Sequence, residues 1–146
     1  MSSEIPLLFV IVCLLICVIP GILFAMVFYR ADRYEREPTH YLVLVFLWGM
    51  VPSVLISQVL NPHLIGHLAR LDRATVDILV APAIEEILKM FAIASIFVLA
   101  RQEFDGVLDG LVYGAMVGIG FATAENYVYY LDAIQTRGWY ALFELF

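Results

Sequence analysis

The chain has 146 residues, 63% of them hydrophobic and 15% charged, and a mean hydropathy of +0.92, which is more apolar side chain than a soluble domain of this size can hide. A net charge of -6 and an isoelectric point near 4.8 leave no basic stripe for phosphates, so no nucleic-acid partner is expected. The composition instead predicts an integral membrane protein whose surroundings are the lipid bilayer.

Crossing roughly 30 Å of hydrocarbon takes about 20 mostly apolar residues in a helix. Such runs occur about four times, over residues 5–29, 41–60, 74–100 and 106–131. The expected fold class is therefore all-α, a polytopic transmembrane bundle of about four spanning helices forming one membrane-embedded domain over residues 1–146. A β-barrel would show short alternating segments in place of these continuous runs.

The first run opens on Met1-Ser2-Ser3-Glu4 without a positive side chain and is too long for a signal peptide, so it is taken as a true span. Cys13 and Cys17 sit four apart within it and read as small buried hydrophobes. Pro20-Gly21 predicts a bend, and Phe28-Tyr29-Arg30 reads as a membrane boundary. Arg30, Arg33 and Arg36 then interleave with Asp32, Glu35 and Glu37, which predicts a solvated, self-paired loop. The positive-inside rule would place that loop in the cytoplasm.

The second run carries Trp48, Gly49 and Pro52, followed by Ser53, Ser57 and Asn61 at steps of four. That polar line would face other helices, either for helix–helix hydrogen bonds or to hydrate a site. His63 and His67 have a metal-binding spacing, but no glutamate stands between them as a zinc-protease helix requires.

The third run holds Ala-Pro-Ala-Ile-Glu-Glu-Ile-Leu-Lys over residues 81–89. Each ionisable group at mid-membrane costs roughly 2.5 to 3.5 kcal/mol, so such groups face protein or a wet cavity and mark function. Lys89 projects between Glu85 and Glu86 at i+4 and i+3 and could serve both. Pro82 removes the hydrogen bond to the Ile78 carbonyl and tends to kink the helix.

The fourth run opens with acidic residues through Asp109, favourable at a helix start. Gly106, Gly110, Gly114 and Gly118 follow every fourth residue, a stripe expected to admit another backbone. Glu125 falls on the face of Gly118, with Phe121 one turn earlier and Asn126, Tyr127, Tyr129 and Tyr130 at an interface. Antiparallel packing of the last two runs would hold Glu85, Glu86 and Glu125 at similar depth. Residues 132–146 read as an interfacial helix or the start of another span.

At these residues the chain resembles the PrsW family of intramembrane proteases, which release membrane-anchored anti-sigma factors and are distantly similar to the CAAX prenyl-protease and bacteriocin-processing membrane family. The likeness lies in residues 32–38, in residues 81–89, and in the glycine-rich stretch 103–126. It implies a peptidase acting on a membrane-anchored protein in a bacterial or archaeal cell membrane. Glu85, Glu86 and Lys89 fill its Glu-Glu-x-x-Lys motif as catalytic residues, and Glu125 joins them through Phe-x-x-x-Glu with Phe121 and Asn126 in support. One of Glu85 and Glu86 would act as general base, and Glu125 would orient the water or protonate the leaving amine. The resemblance fixes no cofactor and leaves a divalent metal open. The family's later His-x-x-x-Asp helix has no counterpart up to Phe146, so the chain is expected to be an N-terminal portion of the full core. Intramembrane carboxylates also serve ion- or proton-coupled transport, and a non-catalytic binding module that holds a single-span partner is the third reading.

Overall fold

The computed structural model describes residues 6–31, 37–56, 59, 75–99, 101–104, 106–138 and 140. Four long helical segments account for most of them, and no strand occurs among the described residues. Helix α1 spans Leu7–Ala31, and α2 spans Thr39–Ile56 with a π-helical turn at Gly49–Ser53. A second π-helical turn, Val76–Val80, leads into α3, Ala81–Leu99. A 3-10 turn at Arg101–Glu103 precedes α4, Val107–Arg137.

Helices α1, α2 and α4 are long and apolar enough to cross a membrane. Helix α3 is the charged fourth member, since Glu85, Glu86 and Lys89 interrupt its apolar run. All four sit where the hydropathy pattern expects spans, with one shift in extent. Helix α4 continues six residues past Leu131, to Arg137, so the first part of the tail extends this helix and is not a separate interfacial one. Gly138, at φ 83°, then takes the left-handed conformation that glycine tolerates, and its N–H closes on the Ile134 carbonyl at 2.9 Å.

The contacts fix the directions. Gly21 of α1 meets Thr123 while Ala25 and Tyr29 reach the level of Met116, so α1 runs antiparallel to α4. Gly49 lies against Val117 and Phe121, and Val54 and Leu55 lie nearer Thr123 and Tyr127, so α2 runs parallel to it. Ile93 meets Gly114 and Lys89 meets Phe121, which makes α3 antiparallel. Helix α4 is thus the central element. In its apolar window 44% of residues are buried inside the protein, against 17% for α1. The core joins Leu42 and Val45, Ala92 and Ile96, and Val112, Tyr113, Met116 and Val117.

Lipid tails are as apolar as leucine, so helices in a bilayer associate through close van der Waals packing more than through a hydrophobic drive. The closest approach is made by Gly49 and Gly120. A Cβ at Gly49 would overlap the Val117 carbonyl oxygen, and one at Gly120 would overlap the Phe46 carbonyl oxygen. The expected stripe of Gly106, Gly110, Gly114 and Gly118 does not have this role. Gly110 and Gly114 have ordinary contacts with Phe104 and Ile93, and space is open around Gly118 among the described residues. Helix α2 meets α4 on a different face from the one marked by those glycines. Helix α1 likewise passes through Pro20 as continuous helix, and Gly21 serves its packing on Thr123.

Cys13 and Cys17 are buried and free, as small hydrophobes would be. Glu37 departs from the expected solvated loop: it is 5% exposed and accepts a hydrogen bond from the Tyr113 hydroxyl. Arg33, Arg36, Ser57, Asn61, His63 and His67 lie outside the described residues. Asp109 acts as the acidic start of α4 should, accepting the Gly106 N–H at 2.6 Å.

Candidate active site

Pro82 cannot donate a backbone hydrogen bond to Ile78, and the helix accommodates the loss by widening into the π-turn Val76–Val80 immediately before α3. Beyond it the chain is regular α-helix, so Glu85 and Lys89 share the face turned to α4, with Glu86 at its edge. The antiparallel register brings this face beside the turn Phe121–Glu125.

Five of the residues marked in the sequence, Glu85, Glu86, Lys89, Phe121 and Glu125, meet there through direct contacts or electrostatics. The Lys89 ammonium lies 2.6 Å from Glu86 Oε1 and 4.1 Å from the centroid of the Phe121 ring. The cation thus links the two motifs, held by a carboxylate on its own helix and by an aromatic face on the next. Glu85 is half-buried, makes no hydrogen bond among the described residues, and lies within electrostatic reach of Glu125, Lys89 and Glu86. The Tyr129 hydroxyl donates to Glu125 Oε1 at 3.0 Å.

Two details differ from the sequence reading. Lys89 does not bind both neighbouring glutamates: its direct partner is Glu86, and it acts on Glu85 only at longer range. The two glutamates also diverge. Glu86 has a side chain 66% exposed, whereas Glu85 is half-buried and within electrostatic reach of Glu125. Asn126 is exposed and lines a groove with Tyr129, Tyr130, Asp132 and Thr136, which adjoins the cluster through Tyr129.

The cluster presents carboxylates on two antiparallel helices within electrostatic reach of each other, with a cation one turn further along α3. Carboxylates so placed can hold and pass a proton, the requirement of general acid–base work on water. Residues 37–146 match the profile described as PrsW family intramembrane metalloprotease, a match that contains every one of these groups. The chain belongs to the PrsW family.

Other PrsW proteins are similar along most of this chain. "Protease PrsW" of Geobacillus kaustophilus (strain HTA426) is 38% identical over 123 residues, covering 82% of this chain and 52% of that protein. "Protease PrsW" of Bacillus subtilis (strain 168) is 39% identical over 113 residues, covering 75% and 50%. That of Clostridioides difficile (strain 630) is 34% identical over 118 residues, covering 79% and 49%. The chain therefore spans about half the length of the PrsW relatives it matches. No solved structure matches it.

The family description includes a metal, so the donor set bears testing. Among the described residues no three of His, Cys, Asp and Glu come together as metal ligands. Glu86 is engaged by Lys89, which leaves Glu85 and Glu125 as a pair, short of the three protein ligands usual in a catalytic zinc site. These residues do not by themselves fit a metal.

Tyr129 is the contact to Glu125 that the sequence reading missed, having placed it only at an interface. Its signal was available, since a tyrosine four residues after a glutamate on a helix lies within reach of that carboxylate.

Proposed function

We propose that this PrsW-family chain forms the carboxylate half of a peptidase site that cleaves a membrane-anchored protein, such as an anti-sigma factor, within or beside the bilayer. The observation that carries the reading is Lys89 joining Glu86 on α3 to the Phe121 ring on α4, which sets Glu85 within electrostatic reach of Glu125. Glu86 is committed to Lys89, so Glu85 is the better-placed general base. It takes a proton from water as the water oxygen attacks the scissile carbonyl carbon. Glu125, protonated and oriented by Tyr129, gives a proton to the departing amine as the C–N bond breaks. Lys89 balances the local negative charge, and Phe121 holds the ammonium in place.

General acid–base groups contribute about 10²- to 10⁴-fold to rate. With a membrane-anchored reporter in liposomes, Glu85→Gln and Glu125→Gln should each lower cleavage by a factor in that range, with helix content unchanged. Cleavage at the parent rate by either variant would overturn the assignment of that residue.

A further inference from the structure

The catalytic cluster described above uses α3 and α4 only. Helix α2 reaches the same place with one polar side chain. Ser53 is fully buried, 0% exposed, and its Oγ has no hydrogen-bond partner among the described residues. Trp48 Nε1 on the same helix is likewise buried without a partner among the described residues, but other helical hydroxyls are satisfied. Ser95, Thr123 and Thr136 each donate to the carbonyl four residues earlier on their own helix, at 2.7, 2.7 and 2.9 Å. This local bond is the ordinary way a helical hydroxyl is satisfied in an apolar setting. Ser53 does not use it, and it closes a π-helical turn, a deformation often found at functional sites.

The register shows where the hydroxyl lies. Gly49 abuts the Val117 carbonyl and the Phe121 backbone nitrogen, and α2 runs parallel to α4. Ser53 is four residues on, about one turn of π-helix, so it reaches the depth of the Phe121–Glu125 turn. It is absent from the α1-side groove, which Met50, Val51, Val54 and Leu55 line with Thr123 and Tyr127. Four residues on from Gly49, Ser53 is buried on the α4-facing side of α2, and the π-turn that holds it also contacts α3.

We infer that Ser53 is a positioning residue for Glu125, its hydroxyl donating to that carboxylate, directly or through one water, when the site is engaged. A hydroxyl donor stabilises the carboxylate that Glu125 becomes as it gives up its proton, and fixes which oxygen handles that proton. Tyr129 from α4 donates to this carboxylate and Glu85 from α3 lies within its electrostatic reach, with Glu86 and Lys89 in turn within reach of Glu85. Ser53 adds the third helix. The inference rests on the proposed peptidase site for its role in turnover, though the contact itself can be tested without activity.

The direct test is labelling of the full chain in liposomes with a hydrophobic carbodiimide, which attacks protonated carboxyl groups, read at Glu125 by mass spectrometry. Ser53→Ala and Ser53→Cys remove the strong donor, and the cysteine keeps nearly the original volume. Both should raise the labelling rate at Glu125 by roughly threefold or more, as expected for a shift of about half a pH unit in protonation, with the thermal midpoint within a few degrees of the parent. In the cleavage assay both should lower kcat with little change in KM. An unchanged labelling rate at Glu125 in Ser53→Ala would overturn the inference. So would a rate that rises with alanine but not with cysteine, because packing volume would then be the cause. If Glu125→Gln cleaved normally while Ser53→Ala still altered labelling, the peptidase assignment would fail and the Ser53 contact would stand.

Discussion

At the scale of single residues, Lys89 carries most of the arrangement. Its ammonium is held 2.6 Å from Glu86 and 4.1 Å from the Phe121 ring centroid. A partly desolvated cation–π contact contributes on the order of 1–2 kcal/mol. Phe121→Leu keeps an apolar side chain but loses that attraction, and it should slow reporter cleavage roughly 5- to 30-fold if Lys89 must stay in place. Lys89→Met should cost more than Phe121→Leu, because it leaves Glu85, Glu86 and Glu125 without a cation. An equal rate for Lys89→Met and the parent would show the ammonium to be dispensable. Tyr129→Phe removes one hydrogen bond to Glu125 and should have a smaller effect, of order 1 kcal/mol.

At the scale of elements, the glycines separate packing from pattern. Gly49 and Gly120 admit the α2 and α4 backbones to each other, whereas Gly118 has open space around it among the described residues. Gly49→Ala and Gly120→Ala should therefore destabilise the bundle by about 1–3 kcal/mol, the usual cost of overpacking. Gly118→Ala should be neutral or stabilising by up to about 1 kcal/mol, through better helix propensity. Detergent-unfolding midpoints would check the contrast, and a large loss at Gly118 would contradict the packing described. Periodicity alone could not make this distinction. Every fourth glycine marks one face of α4, but which face meets a neighbour depends on tertiary packing, and the partner glycine, Gly49, lies on another helix. Hydropathy did locate the four helical segments, because long apolar runs have few alternatives in a bilayer. The π-turns were not legible beyond their prolines, Pro52 and Pro82. Glu37 was misread because the charges around it suggest solvent, while its partner Tyr113 is 76 residues away.

For the whole molecule, the topology places the proposed site at one end of the bundle and a buried anchoring contact at the other. Alternating helix directions put Glu85, Glu125 and Ser53 in the half away from the Glu37–Tyr113 contact, which ties the start of α2 to α4. Tyr113→Phe or Glu37→Gln should lower stability by about 1–3 kcal/mol, the cost of leaving a buried polar group unpaired, without the catalytic loss expected of Glu85→Gln. A fall in cleavage beyond the fall in folded fraction would contradict that division. The convergence of carboxylates from α3 and α4 was legible from spacing once antiparallel packing was assumed. The sequence could not decide which of Glu85 and Glu86 lies within reach of Glu125, since adjacent helical residues differ by about 100° around the axis. Whether Glu85 and Glu125 work as one unit is read from a double-mutant cycle in reporter cleavage. Glu85→Gln combined with Glu125→Gln should be little slower than the worse single variant; losses that multiply as independent factors would show two groups acting separately and overturn the proposed site.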